Sequence, residues 1–380
     1  MIALTHTMRT HCIGRLLIDL PEGSTSEPDA SGARIGDLQV SVTSGVSRQQ
    51  FDQQLEQRWQ AVRAMTTDSF GDPYLRIPQR QGTPKNGVIF AYGFRRLDGP
   101  DVDGVARHDI YFESEAYRWQ DGTLFKVVQS INKSGNALEQ LLPRLQSRQP
   151  DQIPSQPGLC LNGAFVQGYY DQSEREELTW GIQLPRRLGL VVREDKVWAP
   201  KPSMLAKRRD AVGEMVAFLA RQLSEPGVVA GNKEYRAANR TVGDLTGEEY
   251  LMGGTQNQDK DHFETTIGGE WAFPGRGEPS PLPSINVDMG TSFETTRRPS
   301  TLGGFPDAKD APSGPTEAEF FEVWDAVITS IRFRPGALTP PPLSKPQDRG
   351  PSPISYEQAE ADRRALDNFL ASPPQAKPRE

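Results

Sequence analysis

Four histidines, two cysteines and a few acidic clusters are the side chains that could carry chemistry in this 380-residue chain. His11 stands beside Cys12, which could suggest a Cys/His pair, but adjacent residues of a strand point to opposite faces and do not share a proton easily. No G-x-S-x-G elbow, H-E-x-x-H, C-x-x-C or P-loop occurs. Gly290-Thr291-Ser292 lacks the closing glycine of an elbow, and Gly275-Arg276-Gly277 lacks the third glycine of a dinucleotide fingerprint. Asp98, Asp101 and Asp103 resemble a calcium loop, but no glycine follows at the sixth position from Asp101. Asp259, Asp261, His262 and Glu264 could ligate a metal, and a solvated loop between strands is the simpler reading. No catalytic residue, cofactor site or metal site is assigned on this evidence.

The elements that would position such groups are strands with a few helices. Pro157–Pro185 reads as a β-hairpin. Leu159–Tyr170 is rich in Leu, Phe, Val and Tyr, Asp171–Glu177 turns the chain, and Leu178, Trp180, Ile182 and Leu184 share one face. His11–Pro21 is a weaker echo of it, and Cys12 and Cys160 lie 148 residues apart, which suggests two related units. The first unit continues with a strand over Asp37–Thr43 and a helix capped by Ser47 and Gln50 that carries Phe51, Leu55, Trp59 and Val62. A meander over Gly87–Leu97, Ala106–Glu113 and Ala116–Ser130 follows, and then a helix over Asn136–Gln146. The polar stretch Gln149–Gln156 is the domain boundary. The second unit repeats the order. It has a long helix over Ser203–Leu223, strands at Arg240–Asp244, Glu248–Gly253, Phe263–Ala272 and Asn286–Phe293, and a closing helix capped by Thr316 and Glu319. The tryptophans fall on apolar stripes, except Trp198, which reads as exposed. Arg334–Pro353 is Pro-rich and extended or disordered, and a short charged helix follows it.

These patterns predict an α+β protein of two domains, each an antiparallel sheet with helices packed on one face, with the second read as a duplicate of the first. The domains are residues 8–148 and 157–335, with a tail over 336–380. The net charge of −7 argues against nucleic acid or an anionic membrane as the main partner. No apolar run reaches the ~18 residues that span a bilayer. The two cysteines either form one bridge or stay as small buried hydrophobes, and the reading taken is buried and unbridged. The first residues show no apolar signal region, so the chain is expected to be cytoplasmic or to begin upstream of the given start.

CIGRLLIDLP near the N-terminus and PGLCLNGAFV in mid-chain, with EEYLM at 248–252, EWAF at 270–273 and INVDMGT at 285–291, resemble the immunity proteins against type VI secretion lipase effectors, the Tle cognate immunity family. The resemblance implies a two-domain periplasmic protein, monomeric when free and without cofactor or catalysis. It would bind a secreted phospholipase, clamp it between the domains and shield its active site. The alternatives are a non-catalytic cell-envelope module or an enzyme of unrecognised type. Family motifs here are structural, so contact residues are placed by loop position alone: Asp259, Asp261, His262, Arg297 and Arg298.

Overall fold

The computed structural model describes residues 4–342, apart from 84–86, 101–105, 133–135, 172, 209–229, 260–261, 278–280 and 308. Each half runs through the same order of elements. The first half opens with the hairpin β1 (Met8–Ile13) and β2 (Leu16–Pro21), followed by β3 (Thr25–Ile35), β4 (Leu38–Ser44) and α1 (Arg48–Arg63). A meander of β5 (Gln79–Thr83), β6 (Gly87–Pro100), β7 (Ala106–Gln120) and β8 (Thr123–Asn132) leads to α2 (Ala137–Leu141) and β9 (Leu145–Ser147). The second half opens with β10 (Gly158–Leu161) and β11 (Ala164–Gln167), then β12 (Glu176–Leu184) and β13 (Leu188–Asp195). Its meander is β14 (Ala230–Val242), β15 (Leu245–Asp259), β16 (His262–Phe273) and β17 (Ser284–Thr295), closed by α3 (Glu317–Thr329) and β18 (Arg332–Phe333).

Twelve of these strands form one antiparallel sheet in the order β14-β15-β16-β17-β13-β12-β3-β4-β8-β7-β6-β5. Read outward from the central β12–β3 pair, the two sides have matching connectivity, as a duplicated unit predicts. At that pair the register shifts between Thr179 and Gly181. Gly181 permits the close approach, because a Cβ there would lie 2.4 Å from the Ala30 methyl carbon.

The halves also exchange their last strands. β18, which ends the second half, pairs with β2 of the first, and β9, which ends the first, pairs with β11 of the second. One buried apolar cluster contains residues of both halves, among them Ile18, Val127, Leu190, Trp271 and Trp324. A second packs Phe51, Leu55 and Val62 of α1 on Phe90 and Tyr117.

Both capping boxes form: Ser47 with Gln50, and Thr316 with Glu319. Leu178, Trp180, Ile182 and Leu184 share the buried face of β12, and Asp121-Gly122 makes the β7–β8 turn at positive φ.

Other readings are corrected. Pro157–Pro185 is not one hairpin. The hairpin is β10–β11, and β12 leaves it to pair with β13 and β3. The helix expected over Asn136–Gln146 stops at Leu141 and continues as a 3-10 turn, Leu142–Arg144, because Pro143 has no N–H and crowds the preceding turn. Ala116–Ser130 is not one strand, since the 121–122 turn divides it. Most of the helix expected over Ser203–Leu223 lies outside the described residues, and only residues 204–208 are seen as helical. The chain stays packed beyond Phe333, with Arg334 and Ala337 buried and the Tyr170 N–H donating to the Thr339 carbonyl. The remainder of the expected tail, from 343, lies outside the described residues.

Candidate partner-binding surfaces and the joint behind them

The residues placed by loop position gather at one end of the second-half sheet. The β15–β16 register pairs Asp259 with His262, and Phe263 pairs with Thr295 at the end of β17. His262 therefore starts the strand whose neighbour runs out into Arg297 and Arg298. Those two arginines are exposed, and the Thr295 hydroxyl donates to the Arg297 carbonyl, fixing the backbone there. His262 Nε2 lies 3.8 Å from Glu294 Oε2. Asp261 and the Asp259 side chain lie outside the described residues.

A groove of about 900 Å³ opens on the outer face of the same sheet. Its floor is a relay of paired charges. Arg208 Nη2 lies 2.5 Å from Glu270 Oε2, the Asn286 amide donates to Glu270 Oε1 at 2.7 Å, and Arg193 joins Asn286 to Asp288. Burial, and then the Glu270 charge, push the Asp288 carboxyl above its ordinary value. The alternation of β13, β16 and β17 sends these polar residues outward and Val192, Trp271 and Val287 inward.

A third exposed surface went unnoticed in the sequence. Phe70 is 88% exposed and Ile77 83%, with Leu75 between them. The loop that carries them is tied down. The Phe70 and Asp72 N–H groups both donate to Asp68 Oδ1, Thr67 bridges to Pro73, and the Leu75 N–H donates to the Phe94 carbonyl. Trp198, by contrast, was legible: it is 71% exposed, on the loop after β13.

Behind these surfaces lies a polar joint between the halves. Cys12 and Cys160, from the opening hairpins of the two halves, form a disulfide with Cα atoms 5.8 Å apart. This corrects the unbridged reading. The antiparallel bridge of Gly14 to Cys160 lays one hairpin on the other and brings the thiols together.

Beside the disulfide, Arg15 is buried and forks onto Glu176 at 2.8 and 2.6 Å, with a further bond to the Ala337 carbonyl. Lys196 Nζ also reaches Glu176, at 3.0 Å, and donates to the Asp171 carbonyl. Two more buried arginines occupy equivalent positions after the exchanged strands. The Arg334 N–H donates to the carbonyl of Arg15 in the first hairpin turn, and the Arg148 N–H to that of Gly163 in the second. The Arg334 guanidinium holds the carbonyls of Pro154, Gln156 and Gly158 at 2.7–2.8 Å. Arg148 holds those of Gln152, Leu161 and Ala164. The stretch Gln149–Gln156 is thus pinned by two guanidinium groups along much of its length. Burial first, and then the Arg334 charge, lower the Arg148 guanidinium to about 10.

The Tle cognate immunity protein 4 N-terminal domain model matches residues 9–152, and the C-terminal domain model of the same protein matches residues 152–336. The chain belongs to the Tle cognate immunity protein 4 family. The two models meet inside the pinned stretch and together span both halves of the fold.

Solved structures carry the same fold. A chain of the Tle4–Tli4 complex is 22% identical, with a TM-score of 0.60, and the match covers 87% of this chain and 98% of that one. The apo immunity protein TplEi of the type VI secretion system of Pseudomonas aeruginosa is 21% identical, with a TM-score of 0.59 over 88% and 100%. TplEi complexed with an "L" peptide gives 21% and 0.56 over 87% and 99%. No curated protein matches the chain. Within this family the chain is a two-part immunity scaffold, and among the described residues no helix is long and apolar enough to cross a membrane.

Proposed function

We propose that this protein binds its cognate type VI lipase effector one-to-one and shields the effector's active site, with no catalysis of its own. The match of both family models across residues 9–336 carries this reading. The two halves, residues 8–148 and 157–335, act as the two sides of a clamp. Strand exchange, disulfide and pinned linker hold that clamp in one arrangement before the partner arrives. A preassembled surface loses less freedom on binding, and its second contact forms at high effective concentration.

The contact candidates are the β15–β16 end with Asp259, Asp261, His262, Arg297 and Arg298, and the pinned loop presenting Phe70, Leu75 and Ile77. A structural relative is complexed with a peptide, and the outer-face groove of about 900 Å³ offers a concave surface for an extended segment. The disulfide fits an oxidising compartment, which supports the periplasm as the place of action.

Purified protein mixed with its cognate type VI lipase effector should elute as a one-to-one complex from a sizing column. Reversing both rim charges, Arg297→Glu with Arg298→Glu, should weaken binding about tenfold, mainly through slower association at low salt, because rim charges steer encounter more than they hold the complex. Stopped-flow association rates across a salt series check this. An unchanged rate at low salt would remove these arginines from the interface.

A further inference from the structure

Glu194 sits at the centre of the joint and takes no part in the binding surfaces. It is the penultimate residue of β13, in the second half, and is 3% exposed. Its carboxyl faces the Gly14-Arg15 turn of the first half. That approach is close enough that a Cβ on Gly14 would lie 2.2 Å from Glu194 Oε2, and Gly14 itself has φ +60°, so the turn demands glycine twice over.

The charges around Glu194 come from every side of the joint. They are Arg15 from the hairpin turn, Glu176 from β12, Lys196 from just beyond β13 and Arg334 from the segment after β18, with the Tyr170 ring against Arg15 and Lys196. The two nearest cations are already engaged, since Arg15 and Lys196 both close on Glu176. Arg334 is turned to the carbonyls of Pro154, Gln156 and Gly158. Among the described residues the one hydrogen bond that Glu194 accepts is from the Arg15 backbone N–H, at 2.8 Å. A buried carboxylate with a single neutral donor is poorly solvated, whereas a carboxylic acid in the same place is not.

We propose that Glu194 is a proton-sensitive latch at the joint: protonated, it closes the first-half hairpin onto β13, and ionised, it weakens that contact.

Burial pushes the Glu194 carboxyl up to about 7, against the opposing effect of the Arg15 N–H and guanidinium. A carboxyl raised on folding binds its proton more tightly in the folded state. The folded protein therefore loses relative stability as pH rises from the ordinary carboxylate value of 4.5 toward 7, and the loss stays constant above that. His11, held below its ordinary value by burial and by Arg148, acts in the opposite sense at mildly acid pH, so a comparison with a variant is needed to isolate Glu194.

The experiment is urea unfolding of the full-length protein and of Glu194→Gln from pH 5 to 8.5. The ratio of the two folding equilibrium constants should change by roughly 100-fold across the window in favour of the variant at the alkaline end. Amide exchange at Gly14 and Cys160, measured at pH 8, should be slower in Glu194→Gln than in the parent. A ratio flat within twofold would overturn the latch. Should the variant fail to fold, the ¹³C shift of the Glu194 carboxyl in the parent protein gives the answer directly. A midpoint near 7 supports the latch, and one in the ordinary carboxylate range refutes it. None of these readouts uses the lipase, so the outcome stands apart from that of the binding reading.

Discussion

Replacing Cys12 and Cys160 together by alanine should cost about 5 kcal/mol of folding free energy. The bridge closes a loop of 148 residues, and the chain-entropy treatment gives about 5 kcal/mol for a loop of that length, within a usual range of ~2–5 kcal/mol for native disulfides. The position adds a second reason to expect a large effect. The bridge joins the opening hairpins of the two halves, and these share few other covalent or ionic ties: the Gly14–Cys160 backbone pair and the contacts around Arg15. Without the bridge, the opening hairpins keep only the two- and three-residue ladders β2–β18 and β9–β11 to the opposite half, while the β3–β12 pair and the shared apolar cluster still hold the halves at the sheet. Urea unfolding of the double alanine variant beside the parent checks the size of the loss. Addition of a reductant to the parent should reproduce the variant's midpoint once the buried bridge opens. A loss below about 1 kcal/mol would mean that the chain holds the halves together without the bridge.

The second large effect is at Arg15. Arg15→Met keeps the volume and removes the fork onto Glu176 and the bond to the Ala337 carbonyl. Glu176 is then left buried with Lys196 as its one cationic partner among the described residues. Breaking a buried pair from one side costs ~3–5 kcal/mol, because the remaining charge is stranded in a poorly polarisable place. The Arg15–Glu194 backbone bond survives the substitution, so the loss reports on what the guanidinium does: the Glu176 fork, the Ala337 bond and its charge beside Glu194. The control is Arg15→Met with Glu176→Leu, which removes both charges and should recover much of the loss. Chemical unfolding of the two variants gives both numbers. A single variant as stable as the parent would show that Lys196 suffices for Glu176.

What could be read in the sequence and what could not divides along the range of the interaction. The apolar alternation of Leu178, Trp180, Ile182 and Leu184 is local, and it placed β12 with its buried face. Ser47 with Gln50 and Thr316 with Glu319 are local too, and both boxes close. The repeat was visible in the order of elements and in the cysteine spacing, and the sheet shows it as matching strand connectivity on either side of β3–β12. The exchange of β9 and β18 left no such mark. Two- and three-residue strands carry no period, and their partners lie far along the chain. Pro143 was the one signal that could have shortened the helix after Asn136.

The candidate site was less legible. An arginine reads as solvated wherever it stands, so Arg15, Arg148 and Arg334 gave no warning that they are buried on carbonyls and carboxylates. The linker read as a polar domain boundary because of its side chains, whereas its backbone carbonyls are what the two guanidinium groups hold. The cysteines pair across halves that meet only in the folded chain, and spacing alone could not decide between a bridge and two buried thiols. Arg297, Arg298 and His262 were placed by loop position, and the β16–β17 register brings them to one end of the sheet. Phe70 and Ile77 carry no periodic signal, and only the Asp68-centred loop shows that they face outward.

The most direct test is titration of a candidate type VI lipase effector with this protein while phospholipid hydrolysis is followed. Activity should fall linearly and reach its floor at one equivalent, and the protein alone should hydrolyse nothing. Undiminished hydrolysis at a several-fold excess, with no complex on a sizing column, would contradict immunity toward that lipase.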